Sequence, residues 1–212
     1  PRLIYTRFPG YGQSGPYSRK PGYASVTEAF SGFRYLNGYP EDVPVRPNLS
    51  LGDSVAGVHA ALGILLALLA RNNNAQGQII DVALYEAMFN LMEGVVPEYD
   101  GAGAIREPAG STLTGIVPTN TYLCRDGKHV VIGGNGDSIY VRLMTAIGRA
   151  DLANDPALGS NAGRVQQQQL IDAAIGGWTS AHSITEVIAI LEAVEVPVGP
   201  IYSIEDAFND PH

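Results

Sequence analysis

Apolar and polar residues alternate along the opening segment Leu3-Ile4-Tyr5-Thr6-Arg7-Phe8. Its β-branched and aromatic side chains complete the pattern of a strand. A loop dense in Gly and Pro follows, up to Gly22, and a helical stretch is predicted over residues 24–30. An irregular segment carrying Pro40, Pro44 and Pro47 then leads to Gly52-Asp53-Ser54. Behind it lies the longest apolar run, residues 55–70, closed by Arg71-Asn72-Asn73-Asn74. That run predicts a buried helix, and at 16 residues it falls short of a bilayer span. A short strand over 78–82 and a helix over 84–92 complete this half.

The pattern then loosens. Residues 93–111 hold two Pro, four Gly and little periodicity, which predicts a linker, placed at 99–112 between domains at 1–98 and 113–212. Beyond it, strands over 120–124 and 129–132 flank Arg125-Asp126-Gly127-Lys128, whose Asp-Gly pair suits a tight hairpin. Helices are predicted over 138–147, 164–179, 183–193 and 204–209. Ser183-x-x-Glu186 and the weaker Ser203-x-x-Asp206 are capping-box signals. The segment 196–201 carries two prolines and reads as an edge strand. The alternation of strands and helices places the chain in the α/β class.

Composition narrows the function. The chain has 212 residues, 45% apolar and 16% charged, with a net charge of -8. That is a globular balance without the basic footprint of a nucleic-acid binder. Any anionic ligand must be held by a local cluster or by backbone N–H groups. The single cysteine, Cys124, forms no internal disulfide, and a reducing cytoplasm is the simplest setting. The four histidines lack metal-ligand spacing, so no metal is expected. His59 alone reads as a satisfied core histidine.

Three segments carry candidate chemistry. Gly10-Tyr11-Gly12-Gln13-Ser14-Gly15 fits G-x-G-x-x-G after a strand, but Pro16, Pro21 and Gly22 follow where a dinucleotide site needs a helix. A surface loop, or a glycine loop against some other ligand, fits better. Gly133-Gly134-Asn135-Gly136 joins a strand to a helix, either as a turn needing positive φ or as a flap over a site. Asp53 stands at the mouth of the apolar helix, where an acidic residue serves as an N-cap or as a nucleophile.

Taken in order, the motifs resemble one family. They are Gly10 to Tyr17, Pro21-Gly22-Tyr23, Leu51-Gly52-Asp53-Ser54, the segment Gly77-Gln78-Ile79-Ile80-Asp81-Val82-Ala83-Leu84-Tyr85-Glu86-Ala87, the loop at 133–136, Val196-Pro197-Val198-Gly199-Pro200-Ile201 and Asp210-Pro211-His212. The set is similar to the class III CoA-transferases, which include formyl-CoA and carnitine CoA-transferases and the α-methylacyl-CoA racemases. The resemblance implies that Asp53 is the nucleophile, forming an aspartyl–acyl anhydride and then an aspartyl-CoA thioester, without metal or permanent cofactor. It implies that Gly133, Gly134, Asn135 and Gly136 close over the activated aspartyl group to exclude water, with Asn135 standing where some members carry glycine. It places Tyr23, Gly10, Gly12 and Gln13 near the thioester and pantetheine arm.

The same resemblance implies acyl-CoA and a small carboxylic acid as substrates, and an interlocked homodimer; the acidic charge and the short apolar run add the expectation of no nucleic acid and no membrane as partners. Family members are about twice this length. The chain therefore reads as part of a Rossmann-like large domain plus a smaller α/β domain. Arg34, Arg46 and Arg106 are candidates to pair a second carboxylate of a dicarboxylate, against the plainer reading of solvated arginines. Two rivals stand beside transfer. One is a racemase, in which a His lies thirty residues before the aspartate; here that position is Tyr23, followed by Ala24. A phenol, with an ordinary pKa near ~10, is poorly matched to α-proton abstraction. The other is a non-catalytic assembly module on the same scaffold.

Overall fold

The computed structural model describes residues 2–212 and divides the chain into two compact units, Pro1–Gly110 and Ser111–His212. In the first unit, β1 (Tyr5–Arg7) pairs in parallel with β2 (Ile79–Asp81), Tyr5 opposite Ile79 and Arg7 opposite Asp81. Parallel neighbours require a long crossover. Here it carries α1 (Ala24–Phe30), α2 (Phe33–Leu36) and α3 (Leu51–Asn74). After β2 come α4 (Leu84–Phe89), a 3-10 turn at Asn90–Met92 and α5 (Val95–Ala102).

The long helix α3 packs through its small residues. Gly52, Ala56, Ala60 and Ala67 are buried, and a Cβ on Gly63 would stand 3.1 Å from Ile80. These positions recur every three or four residues and form one helix face. Val58, Leu62, Leu65, Leu66 and Leu69 on the other side are 56–70% exposed. The expectation of a buried helix is therefore corrected: only the small-residue stripe is covered within this chain. The length argument is corrected too. Residues 51–54 before the run and 71–74 after it bring the helix to 24 residues, about 36 Å at the α-helical rise, long and apolar enough to cross a membrane by length and composition. Ala75, at φ 59°, ends it by donating its N–H to the Arg71 carbonyl. Just beyond, a Cβ on Gly77 would fall 1.9 Å from the Leu3 carbonyl oxygen, so only glycine lets the chain return alongside β1.

In the second unit β3 (Thr119–Leu123), β4 (His129–Gly133) and β5 (Val198–Pro200) form an antiparallel sheet in that order, with β5, which carries Pro200, at an edge. The β3–β4 turn has Gly127 at φ 78°, with the Cys124 N–H on the Lys128 carbonyl at 2.8 Å. The helices are α6 (Asp137–Ala146), α7 (Ala150–Ala153), α8 (Asn161–Gln166), α9 (Gln168–Thr179), α10 (Ile184–Glu192) and α11 (Ile204–Asn209), with a 3-10 turn at Pro156–Leu158. Both capping boxes form, Ser183 with Glu186 and Ser203 with Asp206. Val130, Ile132, Leu143, Met144, Ile171, Ile175, Val187 and Leu191 close a single core between sheet and helices.

Two further expectations change. The stretch 99–112 is not wholly irregular: α5 runs through its first residues, and Gly110 donates its N–H to Gly38, tying the segment to the first unit. The helix expected over 164–179 starts at Asn161 and breaks at Gln167, whose φ of -116° and ψ of 23° separate α8 from α9.

Two substitutions of one kind should move stability in opposite directions. A Cβ on Gly163 would fall 1.7 Å from the Ala157 carbonyl oxygen, so Gly163→Ala should destabilise by about 3 kcal/mol. Gly177, exposed on α9 with nothing within 4 Å of a Cβ, should stabilise by about 0.5–1 kcal/mol as Ala. Denaturant titration of the two variants checks both signs. Acid should also loosen the second unit. Hydrogen bonds from Arg149 hold the Asp151 carboxyl down to about 2, and the Ser183 and Ser203 caps lower Glu186 and Asp206. Because the folded values lie below the unfolded ones, this stabilisation is complete above pH ~4.5 and is lost as pH falls toward ~2. Thermal midpoints taken across that window should decline; a flat profile would contradict the assignment.

Candidate active site

Asp53 lies in the first turn of α3, three residues past Ser50, which occupies the N-cap position. The N-cap reading of Asp53 is therefore corrected, because the helix starts at Leu51. Ser50 makes no side-chain capping bond, and the Asp53 side chain is exposed with no hydrogen bond to any described residue. A carboxylate there lies at the positive end of the helix while remaining open to attack a ligand. The start of α3 is pressed against the start of α1, where a Cβ on Gly52 would meet the Ala24 methyl at 3.1 Å and Met88 Cγ at 3.5 Å. Glycine at 52 thus permits the close approach. Tyr23, the N-cap of α1 and 86% exposed, directly precedes Ala24, and Asp53 directly follows Gly52.

The loop at residues 10–15 belongs to the same unit. A Cβ on Gly10 would lie 3.0 Å from the backbone of Gly22, and Gly12 and Gly15 hold φ of 85° and 86°. The Gln13 N–H donates to Asp81 Oδ2 at 2.7 Å, and Arg7 donates to Gln13 Oε1 at 2.9 Å. Leu84 and Tyr85 donate to the carbonyls of Pro9 and Gly10, so the loop is fastened to the ends of β2 and α4. No helix follows Gly15, as a dinucleotide fingerprint would need. Tyr11 meets the rings of Phe30 and Tyr17 edge-on at 5.2 and 5.9 Å. Asp81 was not singled out from sequence; its position opposite Arg7 becomes visible only once the strands pair.

Residues 133–136 lie in the second unit. None of Gly133, Gly134 and Gly136 has positive φ, which corrects the expected reason for the glycines. Packing is the reason at Gly134, where a Cβ would stand 2.5 Å from Leu143 Cδ2 and 3.1 Å from Pro118 Cγ. The Gly133 and Gly134 N–H groups donate to Pro197 and Pro118 at 3.0 and 2.9 Å. The Asn135 side chain is exposed and accepts from the Thr119 hydroxyl at 3.4 Å.

The remaining candidates sort by their partners. His59 is bonded at both ring nitrogens, to the Val55 carbonyl and the Asn90 amide, as a satisfied histidine is. Together with Asp81, Glu86 and Asn90 it lines a cleft of about 330 Å³. Arg34 is committed to buried Glu28 at 3.0 Å, and Arg106 to Glu98. Arg46 donates to the backbone carbonyls of Pro47 and Leu49 at 3.2 and 3.1 Å and has no carboxylate partner among the described residues. Cys124 is buried, and burial pushes its thiol up, away from the thiolate form.

Sequence comparison places these features in a known group. The chain is 40% identical over its whole length to the succinyl-CoA–D-citramalate CoA-transferase of Chloroflexus aurantiacus, covering 53% of that protein. It is 39% identical to the alpha subunit of the succinyl-CoA–L-malate CoA-transferase of the same organism, covering 50% of it. The chain thus spans about half the length of the curated relatives it matches. Among solved structures, a CAIB/BAIF family protein from Brucella suis superposes with a TM-score of 0.82 at 29% identity, over 100% of this chain and 56% of that one. Rv3272 of Mycobacterium tuberculosis shares the fold, with a TM-score of 0.84 at 23% identity, over 99% of this chain and 55% of that one. The family model described as CoA-transferase family III matches residues 1–212, and the chain belongs to that family.

Proposed function

We propose that this chain supplies the nucleophile of an acyl-CoA:carboxylate CoA-transferase, and that the nucleophile is Asp53. The observation that carries the reading is an exposed carboxylate, unpartnered among the described residues, in the first turn of α3, within Leu51-Gly52-Asp53-Ser54. The carboxylate attacks the acyl-CoA carbonyl, the carbon–sulfur bond breaks, and an aspartyl–acyl anhydride and CoA thiolate result. The thiolate adds to the Asp53 carbonyl, releases the donor acid and leaves an aspartyl-CoA thioester. The acceptor carboxylate displaces the thiolate to form a second anhydride. Thiolate attack on its acyl carbonyl then yields the new acyl-CoA and restores Asp53. The cycle conserves thioester energy and calls on neither nucleotide hydrolysis nor a permanent cofactor.

We take Tyr23, Gly10, Gly12 and Gln13 as contacts for the CoA arm, and Gly133, Gly134, Asn135 and Gly136 as the water-excluding element of the assembled enzyme. The relatives named for succinyl-CoA with citramalate or malate support succinyl-CoA as donor and a small hydroxydicarboxylate as acceptor. Arg46, seven residues before Asp53 and without a carboxylate partner, is assigned to the acceptor's distal carboxylate. A dimeric enzyme in the cytoplasm completes the proposal.

Asp53→Ala in the whole enzyme should lower kcat by about 10³-fold or more while the protein stays folded. Hydroxylamine added to wild type turning over succinyl-CoA should convert Asp53 to a hydroxamate, located by peptide mass. An active preparation with Asp53 unmodified would sink the covalent route. Transfer is separated from racemisation by incubating a chiral 2-methylacyl-CoA in D₂O. With Tyr23 and Ala24 at the positions of the racemase pair, no deuterium should enter the α-carbon. Exchange as fast as CoA transfer would reject the assignment.

A further inference from the structure

The turn of α3 that carries Asp53 is not held by a cap. Ser50 makes no side-chain capping bond, and residues 41–50 are exposed apart from half-buried Pro47. Within that first turn, residues 51–54, Gly52 is the buried position. It sits in a notch between two other helices of the first unit. A Cβ placed there would meet the Ala24 methyl at 3.1 Å, Ala24 Cα at 3.6 Å and Met88 Cγ at 3.5 Å. Both walls of the notch are fixed. Ala24 is buried at the start of α1, where the Thr27 hydroxyl reaches the carbonyls of Tyr23 and Ala24 at 3.2 and 3.1 Å. Met88, on α4, is 0% exposed. One turn further along α3, Ala56 continues the contact in a buried cluster with Leu84 and Ala87 of α4. Gly57, exposed on the same helix, has nothing within 4 Å of a Cβ.

We propose that Gly52 is a positioning residue: its missing side chain seats the first turn of α3 against Ala24 and Met88, and so sets where the Asp53 carboxylate stands. The inference rests on the reading of Asp53 as the nucleophile. In the step concerned, an Asp53 oxygen adds to the acyl carbon of the thioester. The carbon–sulfur bond breaks, and CoA leaves as the thiolate with the bonding pair. Such an attack depends steeply on how the two reacting atoms approach, so a small shift of the turn is felt in the rate. A methyl at 52 demands that shift, because 3.1 Å is closer than two methyl carbons pack. Ala also favours a helix over Gly, so a loss of rate on this substitution is not a loss of helix.

In the full-length enzyme, Gly52→Ala should lower kcat about ten-fold, with both KM values within about two-fold of wild type. The rate at which hydroxylamine and succinyl-CoA convert Asp53 to its hydroxamate should fall in step. Rates are taken per folded enzyme, at a temperature where circular dichroism shows every variant fully folded, so a merely structural role leaves them unmoved. Moving the methyl across the contact, in Ala24→Gly/Gly52→Ala, should return kcat to within about three-fold of wild type. Gly57→Ala, in open space on the same helix, should keep kcat within about two-fold. Ala24→Val loads the contact from the α1 side; it should lower kcat likewise, and it decides the matter if Gly52→Ala does not fold. Wild-type kcat in folded Gly52→Ala, or a rise in KM alone, overturns the inference while the transferase reading stands. So does a fall that the exchanged methyl does not restore, or an equal fall in Gly57→Ala. An active wild type whose Asp53 escapes hydroxylamine overturns the proposed function, and the inference falls with it.

Discussion

A charged group without water is the constraint around which the second unit is arranged. Transferring a guanidinium from solvent costs several kcal/mol unless acceptors replace its hydration. Arg164 meets that demand with three backbone carbonyls and one carboxylate, drawn from the approach to β3, the 3-10 turn and the residues just before and within α6. None of these carbonyls is satisfied by a regular ladder. The segments therefore converge on one side chain and are held relative to one another by it. Tyr140 closes the remaining face of the guanidinium, where a cation stacks favourably on an aromatic ring.

The first unit solves its packing problem with small side chains. Gly52, Ala56 and Ala60 let α3 come close to its neighbours, and the close approach at Gly52 immediately precedes Asp53. The Asp53 carboxylate, the proposed nucleophile, is carried by a helix rather than a loop, so its backbone is set by a 24-residue element. The glycine loop at 10–15 is fixed in the same spirit, by an Asp81 carboxylate at the end of β2 that accepts the Gln13 N–H.

Elements whose cause is local were legible in the sequence. The Asp126-Gly127 hairpin and the two capping boxes form where turn and cap residues place them, and α1 spans the expected residues 24–30. What escaped the sequence is decided by distant partners. The break at Gln167 falls inside a run of good helix formers and has no Pro or Gly to mark it. Gly134 is required by Leu143 and Pro118 rather than by φ, which no local pattern reveals. Arg164 carries no spacing signature, because its acceptors are backbone carbonyls up to 47 residues away. Asp53 is singled out by its motif, but its place in the first turn of the helix depends on where α3 begins.

The outward face of α3 has a consequence for handling the chain. A helix of 24 residues exceeds the length at which helices begin to persist alone, so α3 can form early, before its surroundings. Its leucine stripe then meets solvent with ionised residues only near the ends, Asp53 and Arg71. Colloidal behaviour follows the stripe and not the net charge of -8, because repulsion spread over other surfaces does not shield a contiguous apolar patch. Polar substitutions at Leu62, Leu65 or Leu69 would therefore change how concentrated the chain can become far more than how tightly its first unit folds.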